Sequence, residues 1–199
     1  MLKKCLAMIV ACFVYSGSIC FASPLANFSK GAVAVDLEWS AHASQGTNTT
    51  NNFGITTAVG DRWAINYRQT NYDPKDESLA FHAKNKEVNL IYKIHDNLQL
   101  YSGYSRTSAT NETTGLELPD KNVVQIGAIV TKKLSERTTL YTILGGGKNV
   151  TNIEFGLSYQ LQPGVELTST YRHFSAEKAG PAENKLNLRG FNLGMTWKI

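Results

Sequence analysis

The chain has 199 residues, with 20 Lys and Arg against 16 Asp and Glu, which gives a formal net charge of +4. This length suits one domain, and the charges form no acidic or basic tail that would favour a nucleic-acid partner. The three cysteines, Cys5, Cys12 and Cys20, all lie within the first 22 residues. Residues 23–199 therefore offer neither disulfide nor thiolate chemistry.

Residues 1–22 have the features of a secretory signal peptide. Lys3 and Lys4 come first, an apolar stretch follows, and Cys20-Phe21-Ala22 provides a small-x-small cleavage site before Ser23. The apolar stretch is shorter than the roughly 20 residues that a spanning helix needs. We expect cleavage after Ala22, which removes Lys3 and Lys4 and lowers the net charge from +4 to +2.

A lipoprotein signal is the alternative for this segment, because Ile9-Val10-Ala11-Cys12 resembles a lipobox. The apolar core before Cys12 is very short, and the residues after it stay apolar, whereas a mature lipoprotein usually begins with polar residues. The sequence favours cleavage after Ala22 over lipidation at Cys12.

Residues 23–199 are predicted to form one all-β domain, because short segments of alternating polarity recur between turn-rich breaks. Ten strands are predicted, at Gly31–Ala43, Asn52–Val59, Trp63–Asn71, Lys86–Ile94, Leu98–Ser108, Asn122–Lys132, Thr138–Leu144, Thr151–Gln160, Val165–Phe174 and Leu186–Ile199. The seventh strand alternates least clearly.

The connections between these strands alternate in length. Tight turns with Gly, Asp, Asn or Pro-Gly follow most of the even-numbered strands, whereas longer polar connections follow most of the odd-numbered ones. The exception is the short connection around Gly145–Val150. Within it, Gly145-Gly146-Gly147-Lys148 is expected to be a flexible hairpin tip. Outer-membrane barrels have short periplasmic turns and longer external loops. The sequence therefore predicts a closed antiparallel up-and-down transmembrane β-barrel of ten strands, with eight as the alternative and both termini on the periplasmic side.

The last strand shows the alternation most clearly. Its apolar residues share one parity and its polar residues the other, from Phe191 to Ile199. With the signal peptide and the hairpin array, this closing strand makes the chain resemble the small bacterial outer-membrane β-barrel proteins. The resemblance implies the outer membrane as location, its lipid and lipopolysaccharide as surroundings, and the barrel-assembly machinery as a partner. Members often end in Phe, whereas this chain ends in Ile199, with Trp197 as its last aromatic residue.

The alternation predicts an apolar outer face and a polar inner face, because lipid offers no hydrogen bonds to polar groups. Aromatic residues are expected at two levels: Trp63, Tyr92, Tyr159 and Trp197 near the short turns, and Trp39, Tyr104 and Tyr171 near the long loops. The predicted inner charges are five acids and five bases: Asp36, Glu38, Glu87, Glu154 and Glu166 with Arg68, Lys93, Arg172, Arg189 and Lys198. Because unpaired buried charges are costly, we expect these to balance in a polar, mostly plugged lumen.

One sequence motif allows an enzymatic alternative. His173 and Ser175 resemble the His-x-Ser pair of the outer-membrane lipid A deacylases, which implies Ser175 as nucleophile and His173 as base. At the family's acid position this chain has Asn187, with Glu183 nearby, and the usual Asn-Ala-Gly is replaced by Ala176-Glu177-Lys178.

Other sites find less support in the sequence. The histidines are scattered without metal-ligand spacing, and no Asp-x-His occurs. We therefore expect no catalytic site, no cofactor, no metal and no nucleic-acid partner. The leading hypothesis is a structural or surface-interaction barrel, with narrow passive transport as a variant.

Overall fold

The computed structural model describes residues 24–25, 28–42, 48–72, 81–111, 115, 117–177 and 186–199. These residues form ten strands: β1 (Val33–His42), β2 (Asn48–Ala58), β3 (Trp63–Tyr72), β4 (Phe81–His95), β5 (Leu98–Asn111), β6 (Glu117–Lys133), β7 (Thr138–Gly147), β8 (Val150–Gln162), β9 (Val165–Ala176) and β10 (Leu186–Lys198). No helix in this part of the chain is long and apolar enough to cross a membrane. The signal peptide expected at residues 1–22 lies outside the described residues.

The ten strands form a closed barrel. Each strand pairs antiparallel with its neighbours in sequence, and β1 pairs with β10 to close the sheet. At this seam Val35 lies opposite Trp197, and the Val33 amide donates to the Ile199 carbonyl at 2.9 Å. The prediction of a ten-stranded antiparallel up-and-down barrel is confirmed, and the eight-stranded alternative is wrong.

Three strands begin earlier than their hydrophobic pattern predicts. β2 begins at Asn48 rather than Asn52, β4 at Phe81 rather than Lys86, and β6 at Glu117 rather than Asn122. The reason is that backbone pairing continues into polar sequence, where alternation no longer marks a strand. The connections at this end are correspondingly shorter than predicted, and they occupy residues 43–47 after β1 and residues 112–116 after β5.

The glycines expected to form a flexible tip belong to β7 instead. β7 extends to Gly147, and only Lys148 and Asn149 connect it to β8, with Asn149 in the left-handed conformation at φ 65°. The expectation of a flexible hairpin tip that includes Gly145, Gly146 and Gly147 was therefore wrong. The physical reason is that Gly145 lies beneath the ring of Tyr101, so that a Cβ there would overlap the Tyr101 hydroxyl.

Tyr101 and Tyr141 fill the lumen by lying flat across glycines of neighbouring strands. A Cβ at Gly127 would lie 2.5 Å from Cε1 of Tyr101, and one at Gly156 would lie 2.5 Å from Cε1 of Tyr141. The register places Tyr101 opposite Gly127 and Tyr141 opposite Gly156. Glycine inside a strand often marks such a close approach, which here lets large rings pack inside a narrow barrel.

The outer surface of the barrel is apolar. Phe191 exposes 68% of its surface and Val124 67%, in line with many other large apolar side chains on the same face. The predicted aromatic residues lie on this face. The ring centroids of Trp63 and Tyr92 are 4.6 Å apart, and those of Tyr171 and its neighbour Phe191 are 5.1 Å apart. The inner positions hold buried polar side chains, among them Asn85, Thr168 and Thr196. This distribution suits lipid outside and polar contacts inside.

Candidate functional site

The lumen is the site that the fold builds, and an ion pair crosses its centre. Arg68 comes from β3 and Glu154 from β8, and their Nη2 and Oε2 atoms are 2.9 Å apart. Both side chains are buried and point inward because they occupy the inner parity of their strands. The pair connects walls that are not neighbours in the sheet, so it occupies the barrel axis.

A second ion pair lies in the lumen beside the first. Nη2 of Arg172 lies 3.4 Å from Oε1 of Glu87, and Nε of Arg172 donates to Oδ1 of Asn152 at 2.9 Å. Nδ2 of Asn85 donates to the same Glu87 oxygen at 2.7 Å. Uncharged side chains thus supply part of the hydrogen bonding that a buried pair requires, while Nη1 of Arg172 has no hydrogen-bond partner among the described residues.

Glu38 is held by neutral donors. Nδ2 of Asn52 donates to Oε2 at 3.1 Å, and the Thr170 hydroxyl donates to Oε1 at 2.7 Å. Nδ2 of Asn192 in turn donates to that hydroxyl at 2.9 Å. Within the described residues Glu38 forms no ion pair, so amide and hydroxyl groups satisfy this buried carboxylate.

The expected balance of inner charges is wrong in detail. The buried set in the described lumen contains four acids but two bases: Asp36, Glu38, Glu87 and Glu154 with Arg68 and Arg172. The other predicted inner charges lie at the ends of the barrel or outside it.

Three predicted lumen charges lie at the short-turn end. Lys198 Nζ pairs with Glu166 Oε1 at 2.5 Å, and both side chains are partly exposed. Lys93 Nζ pairs with Asp96 Oδ1 at 2.8 Å in the β4–β5 turn, and this hydrogen bond, with the positive charge of Lys93, lowers the pKa of Asp96 below its ordinary value. These two ion pairs lie at the short-turn rim of the barrel and contribute no charge to the centre of the lumen.

Arg189 was assigned to the wrong face. It shares the parity of Phe191 and Leu193, both strongly exposed, and it is exposed itself. The register places it opposite His173 on the outer surface. A single-residue error in parity moves a side chain to the other face of a strand.

Described residues before β1 enter the lumen at its short-turn end. Phe28 exposes 2% of its surface and Leu25 5%, and both pack against inward-facing apolar side chains: Ala34, Ala58, Ala64, Ile91, Tyr101 and Ile129. Nε2 of Gln99 donates to the Leu25 carbonyl at 3.0 Å. We call Pro24, Leu25 and Phe28, the described residues of this segment, the plug segment.

An internal cavity separates the plug segment from the ion pairs. It has a volume of about 60 Å³, and Leu25, Gln99, Asp36 and Arg68 are among the residues that line it. A cavity of this size holds a few water molecules. A polar, mostly plugged lumen was expected from the sequence, but the plug segment was not. The available signal was the row of inward alanines, Ala34, Ala58 and Ala64, which leaves room at this end.

The structure places His173 and Ser175 on the same strand without joining them. No hydrogen bond between their side chains occurs in the described residues, and Ser175 exposes 6% of its surface. The register places Asn187 opposite Ser175. Glu183 and Lys178, which the comparison with deacylases invoked, lie outside the described residues.

Metal ligands are not gathered in the described part of the chain, where no group of three His, Cys, Asp or Glu side chains could hold an ion. His173 and His95 lie at opposite ends of the barrel, on β9 and at the end of β4. The position of His82 is described only by its backbone, at the start of β4.

Several solved structures similar to this chain are bacterial outer-membrane β-barrels. The N-terminal barrel domain of Pseudomonas aeruginosa OprF matches with 11% identity and a TM-score of 0.40, covering 85% of this chain and 98% of that one. Neisserial surface protein A matches with 15% identity and a TM-score of 0.46, and the match covers 86% of this chain and 98% of that one. Yersinia pestis Ail matches with 10% identity and a TM-score of 0.45, covering 85% and 100%.

Similarities at this level say nothing about function. No protein-family model and no curated protein matches the chain.

Proposed function

We propose that this chain is an integral outer-membrane β-barrel with a closed lumen, and that its role is structural or surface-interacting rather than transport. The proposal rests on the side chains that fill two levels of the lumen. Two ion pairs occupy its centre, and Leu25 and Phe28 fill its short-turn end. A barrel that is filled in this way anchors its outer surface and its loops in a membrane without offering a path to solutes.

The outer face supports the membrane part of the proposal. Large apolar side chains cover it, and exposing them to water would create a far larger apolar patch than soluble proteins tolerate. Lipid removes that cost. The purified chain is expected to need detergent, and a monomer that stays dissolved without detergent would overturn the proposal.

Planar-bilayer recording tests the closed lumen. The inserted wild-type protein is expected to pass no steady current, because the buried pairs Arg68–Glu154 and Arg172–Glu87 lie across the lumen. Steady conductance from verified, inserted barrels would support narrow passive transport instead. The matched control is Arg106→Gln, which changes the charge of an exposed outer residue and should remain silent as well.

The proposed orientation has the short turns and both chain termini facing the periplasm. Because residues 23–199 contain no cysteine, single cysteines can report the side on which they lie. Lys148→Cys lies in the β7–β8 turn and Asp61→Cys in the β2–β3 turn, and both residues are exposed. A membrane-impermeant maleimide should label the first in intact cells but not the second. The reverse result would invert the orientation.

The proposal includes removal of residues 1–22 and assembly by the barrel-assembly machinery. Intact mass of the membrane-extracted protein should correspond to a chain that begins at Ser23. Trp197→Ala should lower the amount of folded barrel in the outer membrane, since Trp197 is the last aromatic residue of β10. Ile199→Phe supplies the terminal residue usual in this class and should not lower it.

A further inference from the structure

Three basic side chains stand together on the outer face of the barrel near its long-loop end. Lys86 of β4 and Arg106 of β5 lie directly opposite each other, and Lys84 lies two residues beyond Lys86 on the same face. All three are exposed. We call Lys84, Lys86 and Arg106 the basic row.

The basic row lies immediately beyond the apolar band. One step toward the middle of the barrel, the register aligns Val88, Tyr104 and Val124, all large and strongly exposed. Tyrosine near the edge of an apolar band is typical of the membrane interface. The basic row therefore lies at the level of the lipid headgroups in the leaflet on the long-loop side.

The described residues neutralise only one of the three charges of the basic row. Like charges directly opposite each other destabilise a strand pair, and Lys86 faces Arg106 in this way. Arg106 forms an ion pair with Asp120, but neither Lys84 nor Lys86 forms one within the described ranges. An anion at this position would offset the repulsion.

The strands behind the basic row are the longest of the described barrel. β4, β5 and β6 have 15, 14 and 17 residues, whereas the other seven strands have 10 to 13. Part of the extra length is at the long-loop end, where β4 begins at Phe81, opposite Asn111, and where β6 continues beyond Gln125, the residue opposite the end of β7. The outer face of this wall of long strands carries polar groups such as Ser108 and Asn122. A headgroup that rises from the membrane could lie against this wall.

We infer that the basic row binds the phosphate of a phosphorylated glycolipid in the leaflet on the long-loop side. The two lysines supply the charge for the phosphate, Asp120 holds Arg106 in position, and the wall of long strands contacts the sugars. A glycolipid fits better than a phospholipid because a small headgroup would not reach the polar residues beyond the row. This inference rests on the proposed function, since it requires a barrel in a lipid bilayer.

Lipid binding to the detergent-solubilised full-length mature barrel tests the inference. The three probes are diphosphorylated lipid A, the same glycolipid without phosphates, and phosphatidylglycerol. Wild type should bind the first most tightly. Lys84→Gln with Lys86→Gln should weaken that binding about 30-fold, because each basic side chain near a lipid surface contributes roughly a fivefold factor. The matched control, Lys132→Gln with Lys133→Gln at the short-turn end, should keep wild-type affinity.

The possible results separate the site from the fold. Equal loss in both double variants, or equal binding of the dephosphorylated glycolipid, would overturn the phosphate site. Phosphatidylglycerol bound as tightly as lipid A would overturn the preference for a glycolipid. Circular dichroism in vesicles shows whether each variant is inserted and folded. An inserted wild-type barrel that lacks selectivity overturns this inference alone, whereas a wild type that fails to enter vesicles overturns the proposed function.

Discussion

Arg68 and Glu154 are 86 positions apart in sequence, yet their side chains meet across the lumen at 2.9 Å. The contact joins β3 to β8, which are not adjacent in the sheet. It therefore constrains the cross-section of the barrel in a way that strand pairing alone cannot.

Removing one partner of this ion pair should be more harmful than removing both. Arg68→Met leaves Glu154 buried beside Glu38, which repels it, and should lower the free energy of unfolding by about 3–5 kcal/mol. Arg68→Met with Glu154→Leu should recover much of that loss. Urea unfolding in lipid vesicles, followed by tryptophan fluorescence, measures both. Glu154→Leu alone is measured in the same way. A double variant whose loss of stability equals the sum of the losses in Arg68→Met and Glu154→Leu would contradict the direct contact.

The packing of Tyr101 on Gly145 can be tested by adding and then removing single atoms. Gly145→Ala should destabilise the barrel by about 1–3 kcal/mol, because the new methyl group overlaps the Tyr101 hydroxyl. Tyr101→Phe removes that hydroxyl and should restore part of the stability of Gly145→Ala. Gly60→Ala is the control, since nothing lies within 4 Å of its added Cβ. If Gly60→Ala costs as much, the effect is not due to packing.

The plug segment should contribute to the stability of the whole barrel. Phe28→Ala removes a fully buried ring from an apolar cluster and should cost about 3–5 kcal/mol in unfolding free energy. Lys30→Ala changes an exposed side chain two residues later and should have little effect. Thermal unfolding in detergent compares the two. Similar melting curves for both variants would mean that the plug segment does not lie in the lumen.

Ser175→Ala should leave lipid A acylation unchanged. Ser175 is buried and makes no hydrogen bond with His173 in the described structure, so it lacks the activating base that a serine nucleophile needs. Mass spectrometry of lipid A from cells with wild type, with Ser175→Ala and with no protein should give the same acyl-chain number. A deacylated species that is present with wild type and lost with Ser175→Ala would establish the enzyme.

The strands could be predicted from the sequence because a barrel strand alternates along its own length, as Phe191 to Trp197 does. The sites inside the lumen could not be predicted equally well. The partner of Arg68 depends on which strand lies across the barrel and on how far each side chain reaches, which local alternation does not encode. Phe28 belongs to no alternating segment, so nothing near it in sequence indicated that it enters the barrel. The long-loop ends were underestimated because backbone pairing continues there among polar residues such as Lys84.

The pairing of β1 with β10 has a consequence for biogenesis. Val35 is synthesised early, whereas Trp197, which lies opposite it, is synthesised near the end of the chain. β1 therefore cannot pair with β10 until synthesis is almost complete. Until then the N-terminal strand exposes unsatisfied backbone groups that invite pairing with other chains. Closure is therefore a late event, and a chaperone that shields nascent edges would matter most for the first strand made.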